Sequence, residues 1–319
     1  MSAGGSRPIR SSGLPTRVRL VERVGMGTFG EVWLARDTRD GIDVAVKFLV
    51  NDRQSDVDSG RFEREVRSLA RVADVPGIVS IRDLGVAPDG TPWLITEFLP
   101  GGTLRFRLDL EAPAPFSAEA IALIGQLLPP LASSLAGAHA VGVAHGDISP
   151  TNILFDAHGQ PWLSDFGMAA LRKSGLASDG VGGLTPAYAA PERLRGAIPD
   201  ARSDVYSLAA TLWHALSGDP KLSGAPKFRG SIVGGEQGVA SNPAAEIHAG
   251  VEPSGDGTPS VDIRMANNLV ANNLVVDVLA GALDPAPGRR PSAAEIVEAL
   301  NPRKSTGRWW RYRRRHGKR

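Results

Sequence analysis

Two short segments in the middle of the chain carry side chains that could bind a metal ion and direct a nucleophile. The first is HGDISPTN at residues 145–152, and the second is DFG at residues 165–167, after a strand-like run. Carboxylate and amide oxygens are the ligands that Mg²⁺ prefers. A further carboxylate could orient an attacking hydroxyl group. The candidates for this chemistry are Asp147, Asn152 and Asp165.

A glycine-rich run, GMGTFGEV at residues 25–32, lies between two strand-like segments. Its glycines, Gly25, Gly27 and Gly30, would let backbone amides approach phosphate oxygens. The chain has 37 glycines among 319 residues, so this spacing alone fits an ordinary hairpin turn as well as a phosphate loop. The residues that follow must decide between the two interpretations.

A lysine follows the glycine run by one hairpin, at the end of the strand-like segment VAVK at residues 44–47. A buried lysine needs an acidic partner, and a pair of Lys47 with Glu65 would hold the ammonium group against phosphate oxygens. Glu63 is the alternative partner. Glu65 is favoured because it places Leu69 one helical turn further along the same face.

The elements that must position these side chains change in character along the chain. From residue 18 to about residue 99, short β-branched runs are separated by the turn pairs Asp40-Gly41 and Asp89-Gly90, which predicts antiparallel hairpins. One helix is expected near 59–73. Later segments show helical spacing at about 117–141, 203–217 and 265–283, and Ser117 is the expected N-cap of the first. Pro129-Pro130 predicts a kink in that helix.

Two stretches carry no periodic pattern. Residues 1–16 are rich in Gly, Ser, Pro and Arg and are expected to form a flexible leader. Residues 219–262 are rich in Gly, Pro and Ser, which predicts a long loop or an insertion.

From about residue 18 to 300, the ordered motifs resemble the serine/threonine protein kinases of bacteria. The resemblance implies an α+β, bilobal protein-kinase fold. A small antiparallel β N-lobe with one main helix would span 17–99, and a larger, mainly helical C-lobe would span 100–302. The implied activity is transfer of the γ-phosphate of Mg-ATP to Ser or Thr hydroxyls of protein substrates.

The resemblance also implies roles for individual residues. The glycines of the 25–32 run would cover the phosphates, and Lys47 would contact the α- and β-phosphates and pair with Glu65. Asp147 would orient the substrate hydroxyl, while Asn152 and Asp165 would hold Mg²⁺. The remaining residues of the implied ATP site are the hinge residues Thr96, Glu97 and Leu99 and the apolar walls Val32, Ala45 and Leu154.

Three further matches concern the support of the site. Thr185 to Glu192, TPAYAAPE, resembles the segment that docks the substrate, and Arg290 would pair with Glu192. Asp204 resembles a buried helix aspartate that braces the catalytic loop. His145 is expected to brace the same loop from the core, and not to carry protons.

Two departures from the family pattern keep other functions open. Gly146 stands where the family has an arginine, which predicts weak dependence on phosphorylation of the loop that contains Ser174, Ser178 and Thr185. Ser149 replaces a lysine that helps to neutralise the moving phosphate, so turnover is expected to be low. One alternative is therefore a nucleotide-binding pseudokinase scaffold. The other is a small-molecule phosphotransferase, because related enzymes also contain HGD.

The composition excludes some chemistry. Cysteine is absent, which rules out disulfides and thiol catalysis and is compatible with a reducing compartment. No uninterrupted apolar run reaches the roughly 18 residues that cross a bilayer, and the first residues lack the apolar centre of a signal peptide. We therefore expect a cytoplasmic protein without a transmembrane segment.

The end of the sequence is strongly basic. Residues 303–319 hold nine of the 36 Lys and Arg residues and no acid, together with Trp309, Trp310 and Tyr312. Three interpretations stay open: a solvated tail, adsorption to the anionic inner face of the membrane, and contact with nucleic acid. The oligomeric state has no signal in the sequence.

Overall fold

The computed structural model describes residues 13–27, 30–49, 69–166, 185–220, 222 and 274–301. Residues 59–68 of the helix predicted near 59–73 lie outside these residues, and Leu69–Val72 form a 3-10 turn. Most of 219–262, the tail at 303–319, Glu65, Ser174 and Ser178 also lie outside them.

The N-terminal part is a five-stranded antiparallel sheet. Its strands are β1 (Val18–Gly27), β2 (Gly30–Asp37), β3 (Ile42–Leu49), β4 (Ile81–Val86) and β5 (Pro92–Glu97). Their order across the sheet is β1-β2-β3-β5-β4. The predicted turn pairs are confirmed, because Gly41 and Gly90 close the β2–β3 and β4–β5 hairpins with φ of 66° and 80°.

Strand β3 shows how alternation divides the two faces of this sheet. Val44, Val46 and Phe48 are buried together with Trp93 and Ile95 in the N-terminal core. Successive side chains of a strand point to opposite faces, so Ala45 and Lys47 must face the other side. Leu14 also packs against this core, so the packed chain reaches into the stretch that the sequence predicts to be a flexible leader.

The second half of the chain is mainly helical. The helices are α1 (Leu104–Glu111), α2 (Ala118–Ala140), the single turn α3 (Pro191–Leu194), α4 (Ala201–Ser217), α5 (274–282) and α6 (Ala293–Leu300). Strands β6 (Ile153–Phe155) and β7 (Pro161–Leu163) form a small hairpin beside them. The predicted α+β fold with a β lobe before a helical lobe is confirmed.

Helix α2 lies at the centre of the helical lobe. Ser117 caps it, since its side chain accepts a hydrogen bond from the backbone of Ala120, as predicted. The helix continues through Pro129-Pro130. Among the described residues it is the one helix whose length and apolar composition would suffice to cross a membrane, but half of its apolar window is buried inside the fold. A core helix of a globular lobe has these same properties.

Helix α4 is fixed at both ends. Asp200 and Ser203 form a reciprocal capping box at its start, and Gly218 ends it in the left-handed conformation with φ of 71°. Its apolar residues, including the fully buried Trp213, pack in the same core as α2. Such a firmly held helix is a suitable base for the loops that lie against it.

Candidate active site

A cavity of about 450 Å³ opens where the sheet meets the helical lobe. Ala45 and Lys47 reach it from β3, as the alternation on that strand requires, and Leu154 closes it from β6. Of the residues that the sequence predicts for nucleotide binding, those that line the cavity are Gly25, Val32, Ala45, Lys47, Thr96, Glu97, Leu99, Leu154 and Asp165.

The glycine run lies at one end of this cavity. Strands β1 and β2 pair from Val18 to the turn, where Gly27 is opposite Gly30. Gly30 has a φ of 128°, a conformation that residues other than glycine rarely adopt. Gly25 lines the cavity, whereas Gly30 lies further along the hairpin and is not among the described residues that line it.

The hinge segment, which comprises the end of β5 and the residues directly after it, forms the back of the cavity. Thr96 pairs with Ala45 across the β3–β5 ladder, so both side chains lie on the cavity face. Thr96 Oγ1 donates a hydrogen bond to the carbonyl of Glu97 at 3.2 Å. The carboxylate of Glu97 lies 3.5 Å from a guanidinium nitrogen of Arg82. The segment therefore lies beside the apolar residues that line the cavity.

Lys47 and Asp165 meet inside the cavity although they are 118 positions apart in the chain. Lys47 Nζ lies 2.5 Å from Asp165 Oδ2. The side chains are only 13% and 23% exposed, so the two charges are held largely away from water. Asp165 has a φ of 62°, which Asp tolerates better than most residues. The predicted Lys47–Glu65 pair stays a prediction, because Glu65 lies outside the described residues.

The loop that contains Asp147 is braced by Asp204 from the first turn of α4. The buried carboxylate of Asp204 accepts hydrogen bonds from the backbone of His145 at 2.7 Å and of Gly146 at 2.8 Å. His139 Nε2 lies 2.9 Å from the same carboxylate. The predicted brace by Asp204 is confirmed, whereas no sequence pattern indicated the part played by His139.

His145 supports the same loop from the core, as predicted. It is 1% exposed, and its Nε2 lies 2.8 Å from the carbonyl of Ser164, the residue before Asp165. Its ring also packs against Phe166, with ring centres 4.5 Å apart. Gly146 has a φ of 85°, which suits glycine at this position.

Asn152 joins the two segments that carry the carboxylates. Its side-chain amide donates a hydrogen bond to the backbone carbonyl of Asp147 at 2.8 Å. The backbone carbonyl of Asn152 accepts a hydrogen bond from the backbone N–H of Ser164 at 2.9 Å. Asp147 and Asn152 are 6% and 4% exposed. Asn152 therefore links the loop of Asp147 to the segment that carries Asp165.

These residues fit a magnesium ion that is shared with a substrate. In the part of the chain that the structure describes, no three His, Cys, Asp or Glu side chains are grouped to hold a metal ion. Mg²⁺ is usually bound by one or two carboxylates and completed by water and phosphate oxygens. Asp165 with the amide oxygen of Asn152 would supply such a partial ligand set.

The segment that begins at Thr185 makes a contact that the sequence did not predict. The backbone N–H of Thr185 donates a hydrogen bond to Asp147 Oδ1 at 3.0 Å. This bond engages one of the two oxygens of the Asp147 carboxylate. The cavity lining also includes residues that no motif indicated, among them Val79, Leu84, Leu94 and Ser164.

The predicted Glu192–Arg290 pair is confirmed and is bidentate. Arg290 Nη1 and Nη2 lie 2.6 and 2.8 Å from the two oxygens of Glu192. Burial alone would raise the pKa of Glu192, but the hydrogen bonds and the charge of Arg290 hold that pKa below its usual range. The pair ties the turn before α4 to the segment before α6.

Comparisons with known proteins agree with this geometry. A model of the protein kinase domain matches residues 18–300. The chain is 37% identical over 215 residues to the DNA damage-responsive serine/threonine-protein kinase RqkA of Deinococcus radiodurans, which covers 66% of this chain and 31% of that protein. It is 38% identical over 220 residues to the serine/threonine-protein kinase PknB of Mycobacterium tuberculosis, with 67% and 34% covered.

A third relative, the serine/threonine-protein kinase PknK of Mycobacterium tuberculosis, is 38% identical over 200 residues, which are 62% of this chain and 17% of that protein. The chain therefore spans from about a sixth to a third of the length of these relatives. The kinase domain of PknI from Mycobacterium tuberculosis superposes with a TM-score of 0.58 at 24% identity, covering 91% of this chain and 98% of that one. By its fold and by the match over residues 18–300, the chain belongs to the protein kinase domain family.

Proposed function

We propose that this chain is a serine/threonine protein kinase that transfers the γ-phosphate of Mg-ATP to protein hydroxyl groups. The observation that carries the proposal is the Lys47–Asp165 pair inside the cavity, 2.5 Å apart, next to the loop of Asp147 and Asn152. Lysine, two carboxylates and an amide at one end of an apolar slot match the needs of a magnesium-bound triphosphate.

The residues of the cavity would bind different parts of Mg-ATP. The hinge backbone after Thr96 and the apolar walls Val32, Ala45 and Leu154 would hold the base. Bound Mg-ATP supplies an electrophilic γ-phosphorus and a leaving group whose charge the metal neutralises. Lys47 would hold the α- and β-phosphates, while Asp165 and Asn152 would hold the metal.

Asp147 would aim the acceptor hydroxyl along the line of attack and receive its proton. Its Oδ1 is already bound by the N–H of Thr185, so Oδ2 is the oxygen that faces this task. The loop cannot swing away, because Asp204 holds the N–H groups of His145 and Gly146. Positioning of this kind provides most of the catalysis in phosphoryl transfer.

Two other functions compete. Ser149 is fully buried, and its hydroxyl lies 2.8 Å from that of Thr151. Residue 149 therefore supplies no cation to the phosphate. The missing cation favours a nucleotide-binding scaffold. A small-molecule phosphotransferase would share the HGD segment. The confirmed bond from Arg290 to Glu192 favours the protein kinase, because that bond orders a segment for protein substrates.

A transfer assay separates the three functions. The purified chain is incubated with labelled ATP and Mg²⁺, alone and with a generic basic protein, and phosphoamino acids are then analysed. We expect label on serine and threonine, and none when the metal is chelated. Nucleotide binding without transfer would support the scaffold, and label that appears only when a small alcohol is added would support the small-molecule enzyme.

A further inference from the structure

Helix α4 contacts the segments on both sides of Asp147. Near its start, Asp204 holds the backbone of His145 and Gly146. Ten residues further along, about 15 Å at the rise of an α-helix, His214 Nδ1 lies 2.9 Å from the hydroxyl of Tyr188. The first contact fixes the loop that carries Asp147. The second reaches the segment that binds the carboxylate of Asp147.

A continuous series of contacts connects His214 to Asp147. The rings of His214 and Tyr188 are stacked with centres 5.9 Å apart. The backbone N–H of Tyr188 donates to the carbonyl of Thr185 at 3.0 Å. The N–H of Thr185 in turn donates to Asp147 Oδ1 at 3.0 Å. The position of the Tyr188 ring therefore influences where Thr185 presents its N–H group.

The charge state of His214 decides the direction of its hydrogen bond with Tyr188. Burial lowers the pKa of His214, and Arg105 lowers it further, while Asp219 and Asp109 act in the opposite direction. Burial raises the pKa of Tyr188, so its hydroxyl keeps its proton. A neutral imidazole can accept a hydrogen bond from that hydroxyl at Nδ1. A protonated imidazole has N–H on both nitrogens and can only donate to the hydroxyl oxygen, beside the positive charge of Arg105.

We propose that His214 is a positioning residue for phosphoryl transfer, whose neutral form holds Tyr188 and Thr185 in place and whose protonation lowers turnover. The inference rests on the proposed kinase function. It concerns kcat and not nucleotide binding, because Tyr188 and His214 are not among the residues that line the cavity.

The sign of the pH effect follows from the direction of the pKa shift. His214 is neutral in the folded protein at pH 7 and stays neutral somewhat below the usual titration range of histidine. As the pH falls through its folded pKa, the Tyr188 hydroxyl loses its acceptor. Loss of the acceptor weakens the arrangement that the bond stabilises by a factor of about ten, and kcat falls by up to that factor.

The test compares pH profiles of kcat and of KM for ATP from about pH 5.5 to 8.5. The variants are His214→Asn, His214→Phe and Tyr188→Phe, with His158→Asn as the matched control because His158 is exposed in the β6–β7 turn. Asparagine places an oxygen acceptor close to the position of Nδ1 and does not titrate. We expect the acid limb of the kcat profile to depend on one protonation fewer in His214→Asn than in the wild type.

His214→Phe removes the acceptor at every pH, so its kcat should fall about tenfold even at pH 8, while KM for ATP changes less than about twofold. His158→Asn should retain the wild-type acid limb. Superimposable acid limbs for the wild type and His214→Asn would overturn the inference, and this comparison remains decisive if His214→Phe does not fold. A wild type that transfers no phosphate would overturn the proposed function itself.

Discussion

Replacing Asp147 with asparagine should lower kcat by about a hundredfold to ten-thousandfold, which is the usual contribution of a positioned general base. The amide oxygen of asparagine can still accept the N–H of Thr185 at Asp147 Oδ1, so the loop should keep its structure. What is lost is the negative oxygen that, under the proposed function, would aim the hydroxyl and take its proton. Steady-state kinetics with a phosphorylatable protein measure the effect.

The affinity for ATP separates a catalytic effect from a folding defect. Asp147 does not line the cavity, so the Kd for ATP measured by calorimetry should stay within about twofold of the wild-type value. The matched control is Asp43→Asn, which removes an exposed carboxylate that pairs with Arg36 on the sheet. Equal rates for wild type and Asp147→Asn would show that Asp147 is not the base.

Replacing Arg290 with methionine should lower the free energy of unfolding by about 3 to 5 kcal/mol, the usual cost of leaving one partner of a buried ion pair alone. Arg290 is 1% exposed, and all five of its N–H groups are used. Besides the two bonds to Glu192, they bind the backbone carbonyls of Asp284, Arg202 and Pro285.

Urea unfolding at several pH values measures this loss. Because the pKa of Glu192 is lowered in the folded state, its contribution is present above the unfolded pKa and disappears as the pH falls through the folded one. The difference between wild type and Glu192→Gln should therefore shrink in acid. As a control, Arg36→Met removes one half of an exposed pair and should cost less than about 1 kcal/mol. An Arg290→Met loss as small as the control would contradict this account.

The sequence was sufficient for the parts of the site that depend on local pattern. Alternation on β3 predicts that Ala45 and Lys47 share a face, and burial of Val44 and Val46 makes that face the cleft. The N-cap of α2 and the hairpin turns follow from residue types at fixed offsets. The pairing of Arg290 with Glu192 came from resemblance, because no local rule connects residues 98 positions apart.

The parts that the sequence did not predict are made by backbone groups or by residues without a pattern. The N–H of Thr185 bonds Asp147 through a group that every residue except proline has, so no residue type signals it. Leu84 and Leu94 line the cavity because of the β4–β5 register, which motif spacing does not give. His214 lies in an apolar helical run, where its bond to Tyr188 depends on tertiary packing.

The two departures at residues 146 and 149 are accommodated locally. Gly146 uses a left-handed conformation while its N–H bonds Asp204, so the brace does not need a side chain at this position. Ser149 is buried and bonds to Thr151, so it does not take the place of a cation. The expectation of low turnover stays a prediction.

The most direct test of the central claim, that Lys47, Asn152 and Asp165 converge on one magnesium-bound triphosphate, is phosphate transfer by Asp165→Asn across a Mg²⁺ titration. Asp165→Asn removes the carboxylate that lies 2.5 Å from Lys47 Nζ. The account predicts a rate at least about a hundredfold below wild type that excess Mg²⁺ does not restore. A rate within about twofold of wild type, with the same Mg²⁺ dependence, would contradict it.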